Sequence, residues 1–137
     1  MTGIDTKIAV LLRDDLASWQ KLNMTAFLVS GIAATVAEAT GRPYEDASGR
    51  PYLPMFGQPV MVFAADAAAL RQAYERAVSR GLALAIFTAE LFATGHDEAN
   101  RAAVRAVASE ALDLVGLALR AGKKDVDKVV KGLKLHA

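Results

Sequence analysis

Apolar residues along the chain fall into segments separated by short polar stretches, and their spacing predicts the elements. "KIAVLLR" (7–13) is an unbroken apolar run, the mark of a strand covered on both faces. From Leu22 to Ala39 the chain is long, apolar and interrupted only by small residues. It reads as a helix packed on more than one side, with Ser30 and Gly31 allowing close approach. "VMVFAAD" (60–66) is a second strand running into a helix cap at Asp66. Leu70, Ala73, Tyr74, Ala77 and Val78 then recur on one helical face, and Gly81 stops that helix.

"LALAIFT" (82–88) reads as a third strand, so that strand, helix and strand form a right-handed βαβ unit. "DEANRAAVRAVA" (97–108) is helical with Asp97 as its cap, "DLVGLAL" (113–119) is a fourth strand, and 123–131 is a last helix. Residues 41–58 carry three of the four prolines and three glycines. "DASG" there predicts a hairpin turn, and a segment of this length serves as a lid or an edge element. The whole is one α/β domain (1–137) on a small, mostly parallel sheet.

Composition narrows the function classes. A chain of 137 residues, 53% apolar, suits one domain and is not a disordered composition. It has no cysteine, which removes thiolate catalysis and cysteine-based metal sites. No apolar run approaches the ~20 residues of a membrane span, and "MTGIDTKIAVLLRDD" lacks the form of a secretory leader. A cytoplasmic protein without a membrane partner is the expectation. Net charge is only +1, yet the segment from Arg120 onward holds six cationic against two anionic residues. In it Lys124, Lys128 and Lys131 line one helical face opposite Val126, Val129, Val130 and Leu133. A solvated amphipathic helix accounts for that pattern, and an RNA-backbone contact is the alternative.

Candidate chemistry sits where open α/β sheets place ligands, beyond the carboxyl ends of parallel strands. Strand one leads into "RDDLASW" and not into a glycine-rich phosphate loop. Arg13, Asp14 and Asp15 follow strand one, and Thr88 and Glu90 follow strand three. Two carboxylates and a lysine gathered there would serve acid–base chemistry; the plainer reading is a capping aspartate with Arg13 paired to an acid. His96, in "ATGHDEANR", is a general base or ligand in one reading and a solvated loop histidine in the other. Trp19 is a packing anchor or a ligand contact. No metal site or cofactor is expected.

These segments resemble two known groups. "KIAVLLRDDL", and "VGLALRAG" followed by "DVDKVVKGLKL", look like the opening and closing motifs of the peptidyl-tRNA hydrolase type 2 family. "RDDLASWQKLNMTAFLVSGIA", "PYEDASGRPYLPM" and "FATGHDEANRAAV" resemble the bacterial group known as domain of unknown function two-thousand. The resemblance implies three α/β/α layers around a mixed four-stranded sheet, three strands parallel and the last antiparallel, in a homodimer. It also implies a site at the end of strand one, but the motif residues differ. Asn23 stands where the hydrolases keep a lysine, with Lys21 two positions earlier. Ala89 stands where they keep an acid, with Glu90 one later, and Phe27 and Ser30 replace a Gln and a His. An amide cannot replace an ammonium as a charge partner.

The expected pocket therefore comprises Arg13, Asp15, Lys21, Asn23, Glu90 and His96, with Trp19 beside it. Lys21, Glu90 and His96 are the catalytic candidates. Three functions compete: a non-hydrolase that binds a small molecule or RNA end, a divergent peptidyl-tRNA hydrolase, and a non-catalytic homodimeric interaction protein.

Overall fold

A computed structural model describes residues 5–137. In chain order the elements are β1 (Thr6–Arg13), α1 (Ser18–Thr35), β2 (Tyr44–Glu45), β3 (Pro51–Tyr52), β4 (Val60–Ala65) and α2 (Ala67–Ser79). They continue with β5 (Ala85–Thr88), α3 (Asp97–Arg105), β6 (Leu114–Gly122), α4 (Lys123–Val129) and β7 (Lys134–Leu135). The main sheet has five strands in the order β5-β6-β1-β4-β7, and β2 and β3 form a separate hairpin.

β1 is parallel to β4, from Ile8 opposite Val60 to Arg13 opposite Ala65, and antiparallel to β6. The sheet thus differs from the four-strand expectation in two ways. β7 adds a short antiparallel strand beside β4, and β5 lies at the far edge, antiparallel to β6 and not beside β4. The physical reason lies in β6. Its residues Leu114–Leu119 are all buried, and a strand apolar on both faces belongs inside a sheet. It therefore takes the place between β1 and β5. Only 85–88 of the predicted 82–88 pairs as strand.

The pleat of β1 divides the core into two sets. Ile8, Val10 and Leu12 face α1 through Met24, Leu28 and Ile32, whereas Ala9 and Leu11 face α2 and α4 through Leu70, Ala73, Ala77, Val126 and Val129. Helices thus cover both faces. α1 starts at Ser18, four residues earlier than its apolar run, so Trp19 and Lys21 are helical, like Asn23, and not in a loop. It buries one stripe only: Leu22 is 73% and Phe27 56% exposed, against the expectation of a helix packed on several sides. α1 comes close to β6 because Gly116 has no side chain. A Cβ there would stand 2.5 Å from Met24 Sδ and 3.2 Å from Leu28 Cδ1.

Two caps were anticipated. Asp66 accepts the Ala69 N–H at the start of α2, as expected. The cap of α3 is His96, whose Nδ1 accepts from Ala99 N, and not Asp97. α4 ends at Val129, so Lys124 and Lys128 lie on it while Lys131 falls in the following turn. Gly81 ends α2 and Gly132 closes the turn after α4, with φ of +70° and +86°, the region glycine enters without a Cβ penalty. No helix among the described residues is long and apolar enough to cross a membrane.

The α1–β6 approach makes a specific prediction. Gly116→Ala should cost about 1–3 kcal/mol in denaturant unfolding, the usual result of overpacking. Adding Met24→Ala should recover part of that loss, because the atoms in the way are those of Met24. Full additivity of the two changes would show that the contact is not what sets the spacing.

Candidate functional site

At the carboxyl end of β1 the expected charges are present but mostly paired with one another. Arg13 Nε donates to Asp15 at 2.7 Å and Nη1 to Asp113 at 3.2 Å. The bond to Asp15 raises the Arg13 pKa, and the same bond holds the Asp15 carboxyl below its ordinary value. Asp113 lies just before β6 and its carbonyl accepts from Ala89 N, so Arg13 ties the top of β1 to the start of β6 and, through Asp113, to the residue that follows β5. Asp14 contributes its backbone N–H to Ala65 O at 2.9 Å.

Lys21 points elsewhere. Its Nζ is 3.0 Å from His136 Nε2, and His136 N donates to Val62 O, which holds the segment after β7 along β4. Because a lysine only donates, His136 Nε2 accepts, leaving the ring proton on Nδ1 for the Ala137 carbonyl at 2.9 Å. Lys21 also lowers the Asp15 pKa through its charge, a smaller effect than the Arg13 bond. Arg13, Asp15 and Lys21 thus share one electrostatic neighbourhood.

A concave site lies next to that group, beyond the end of β5. It is a cleft of about 340 Å³ between the first half of α1 and the segment 91–100, within the range of small-molecule sites. Its walls are aromatic. Trp19 meets Phe92 edge-on at 5.9 Å between centroids, Phe92 meets Phe87 at 4.9 Å, and Phe87 meets Phe27 at 6.0 Å. Trp19, Asn23 and Phe27 come from one stripe of α1 at i, i+4 and i+8. Phe87 comes from β5, and Phe92 from the 3-10 turn Ala89–Ala93 that follows it.

The polar groups of the cleft are Asn23, Thr94, His96, Asp97 and Asn100. His96 Nδ1 is engaged as the α3 cap at 3.2 Å, which in the neutral ring puts the proton on Nε2 and leaves that nitrogen as a donor. Thr94 Oγ1 bonds the Leu91 carbonyl and contacts Asn100 Oδ1, so the Asn100 amide nitrogen remains to donate. Asp97 is held by Arg101 at 2.5 Å. No lysine or arginine lines the cleft. Among the described residues no three His, Asp or Glu side chains are grouped to hold a metal.

Of the expected pocket, Trp19, Asn23 and His96 line this cleft, while Arg13, Asp15 and Lys21 form the neighbouring charged group. Glu90 is exposed on the 89–93 turn and lines neither. Lys124, Lys128 and Lys131 are exposed beyond the other face of the sheet. Residues 41–55 are all exposed, none lines the cleft, and Asp46 closes their turn by accepting from Ser48 N, Arg50 N and the Tyr52 hydroxyl. Sequence reasoning missed Phe27, Phe87, Phe92 and Asn100 as site residues. The i, i+4, i+8 stripe would have revealed Phe27 had the helix been started at Ser18.

Comparison with known proteins agrees with the fold and leaves the chemistry open. The family model described as "Protein of unknown function (DUF2000)" matches residues 6–137. A solved structure of a protein of unknown function from Agrobacterium is 52% identical, with a TM-score of 0.94 over 97% of this chain and 98% of that one. No curated protein matches the sequence significantly.

The Arg13–Asp15 pair predicts a pH response. A carboxyl group with a depressed folded pKa adds stability that is present above its unfolded value, about 3.9 for aspartate. That stability is lost as pH falls through the lower folded value. Carbon-detected NMR titration should therefore show Asp15 titrating below about 3.9, and Arg13→Gln should move it back up toward that value. An Asp15 titration indifferent to Arg13→Gln would contradict the pairing.

Proposed function

The chain belongs to the DUF2000 family, which brings no assigned activity with it, and we propose that it is a non-hydrolytic binding protein for a flat, unsaturated small molecule. The cleft of Trp19, Asn23, Phe27, Phe87, Phe92 and His96 is the seat. The observation that carries this reading is the continuous aromatic wall from Trp19 to Phe27, open to solvent and not filled by the protein's own side chains. Aromatic faces favour planar partners, and Asn23, Asn100 and His96 Nε2 supply hydrogen bonds around the rim.

An RNA end, the other ligand expected at this place, carries phosphate, and the cleft walls hold no cation to meet it. The likeness to peptidyl-tRNA hydrolase type 2 is read as one of architecture. Catalysis of that kind would need Lys21 and Glu90 to act together. Lys21 is engaged with His136, and Glu90 does not line the cleft. RNA contact through Lys124, Lys128 and Lys131 stays secondary, since the three do not share one helix.

Trp19 is the only tryptophan and is 61% exposed at the rim, so its fluorescence reports occupancy. Adenine and nicotinamide, tested as uncharged planar probes, should quench it saturably. Asn23→Ala should weaken binding by up to about tenfold, the upper end for one hydrogen bond. N-acetylated aminoacyl-tRNA should not be hydrolysed. Release of the blocked amino acid that Lys21→Ala abolishes would replace this reading with the hydrolase one.

Self-association is a second reading with its own support. Among the described residues, Trp19, Leu22, Phe27, Tyr44, Tyr52, Leu53 and Met55 are seven of the nine large apolar residues standing exposed, and all lie on α1 or in the segment 44–55 that holds the hairpin. They offer roughly 800–1,000 Å² per chain, the share of one partner in a standard interface. Arg42 and Arg50 against Glu45 and Asp46 leave the hairpin without net charge, so two copies meet there without repulsion. A homodimer formed this way sets the second copy beside the cleft rim. Sedimentation velocity should show a dimer that Leu22→Glu with Leu53→Glu converts to a folded monomer. A wild-type monomer at about 100 μM, far above the range of a stable complex, would exclude it.

A further inference from the structure

A second cavity lies at the other end of α1, separate from the aromatic cleft and independent of the reading given to it. It measures about 300 Å³. Gly31, Ile32 and Val36 wall it on one side, Ala83 to Ala85 on the other, and Arg120 reaches in from β6. Arg120 stands opposite Ile8 in the sheet, on the face covered by α1. Its side chain is only 9% exposed.

The partners of this guanidinium do not balance its charge. Nε donates to the neutral Gln58 Oε1 at 3.1 Å. The nearest acid, Glu38, is 3.9 Å from Nη1 and itself 67% exposed, beyond hydrogen-bond reach and screened by water. Other arginines show the opposite relation. Arg13 is 19% exposed with an acid at 2.7 Å, and Arg101 is 55% exposed with one at 2.5 Å. Among the described ion pairs, the most buried arginine has the most distant carboxylate. A buried charge left in this state is costly, and a carboxylate supplied from outside would relieve it.

We propose that this cavity binds a small monocarboxylate with a compact apolar tail. The carboxylate sits on the Arg120 fork, in the two-point geometry a guanidinium offers, and the tail rests against Ile32, Val36 and Leu84. A single cation neutralises one negative charge, which suits a monoanion; the second charge of a phosphate dianion would face the Glu38 carboxylate without a partner. The volume is at the lower end for ligand sites and matches a short tail. Gly31 keeps the space open, since a Cβ at that position would already be in van der Waals contact with Ala85 Cβ, at 4.0 Å. Glu38 is displaced toward solvent when the ligand enters.

The test uses isovalerate, with isovaleramide as its uncharged isostere and inorganic phosphate as an anion without a tail. The readout is the amide resonances of Gly31 and Ala85 and the Arg120 Nε resonance in the full chain. Isovalerate should shift all three saturably, and isovaleramide should bind at least about tenfold more weakly, as expected for losing a charged hydrogen bond. Arg120→Gln should abolish binding. Should that variant fail to fold, two others carry the test. Gly31→Leu fills the cavity without touching the charge and should also abolish binding, and Glu38→Gln removes the competing acid and should tighten it about threefold, in line with an exposed pair. Equal binding of isovaleramide or phosphate would overturn the proposal, as would an absence of shifts at about 20 mM isovalerate, weaker than any useful affinity. Gly31→Leu binding as well as the native chain would overturn it too.

Discussion

Everything in this molecule is positioned by the burial of β1. Ile8, Ala9, Val10 and Leu11 have no exposed surface, and the strand is hydrogen-bonded on both edges, to β4 in parallel and to β6 in antiparallel register. A strand apolar on both sides needs a helix layer on each. α1 covers one face and α2 with α4 the other, and neither layer can move without exposing part of β1. The bare backbone of Gly116 then fixes how closely α1 approaches, because Met24 and Leu28 occupy the space its side chain would take.

The placement of α1 explains why the two cavities lie at its ends. The helix crosses β6 and β5 with a single buried stripe, Met24, Leu28 and Ile32, and where it overhangs edge strand β5 it leaves a gap. Near its start the gap meets Phe87 and the 89–93 turn, whose Phe92 and Leu91 make the walls aromatic and apolar. Near its end the gap meets 83–85, where the chain is just entering β5, and Arg120 of β6 lines it. One helix on one edge strand thus produces an aromatic cleft walled without lysine or arginine and an apolar one that holds a cation. Their chemistry differs because different side chains of β5, its flanks and β6 reach them.

Much of the fold was legible because burial leaves a strong periodic trace. The runs at 7–13, 60–66 and 113–119, the one-sided face of α2 and the Asp66 cap all follow from apolar spacing and cap chemistry. The "DASG" turn likewise follows from residue types, with Gly49 at φ +81°. Pairing was not legible to the same degree. Sequence order suggested β5 beside β4, but partner choice depends on which strand most needs two covered faces, and the six buried residues of β6 decided it. β7 was missed because two residues carry no period. The start of α1 was missed because Ser18, Gln20 and Lys21 are polar and Trp19 alone sets no period, and that error hid the Trp19–Asn23–Phe27 stripe.

Charge was the least legible property, and the reason is physical. Placement at the ends of strands one and three gathered Arg13, Asp15, Lys21, Asn23, Glu90 and His96 into one expected pocket, but charged side chains in a partly buried setting pair with the nearest opposite charge or acceptor before they face a ligand. Arg13 takes Asp15 and Asp113, Lys21 takes His136, and Asp97 takes Arg101. What remains for ligands are the groups that escape this pairing: amides, a ring nitrogen and aromatic faces in one cavity, and in the other the single arginine whose acid lies out of reach. The residues that carry recognition here are therefore set less by their place in the sequence than by which of their neighbours failed to neutralise them.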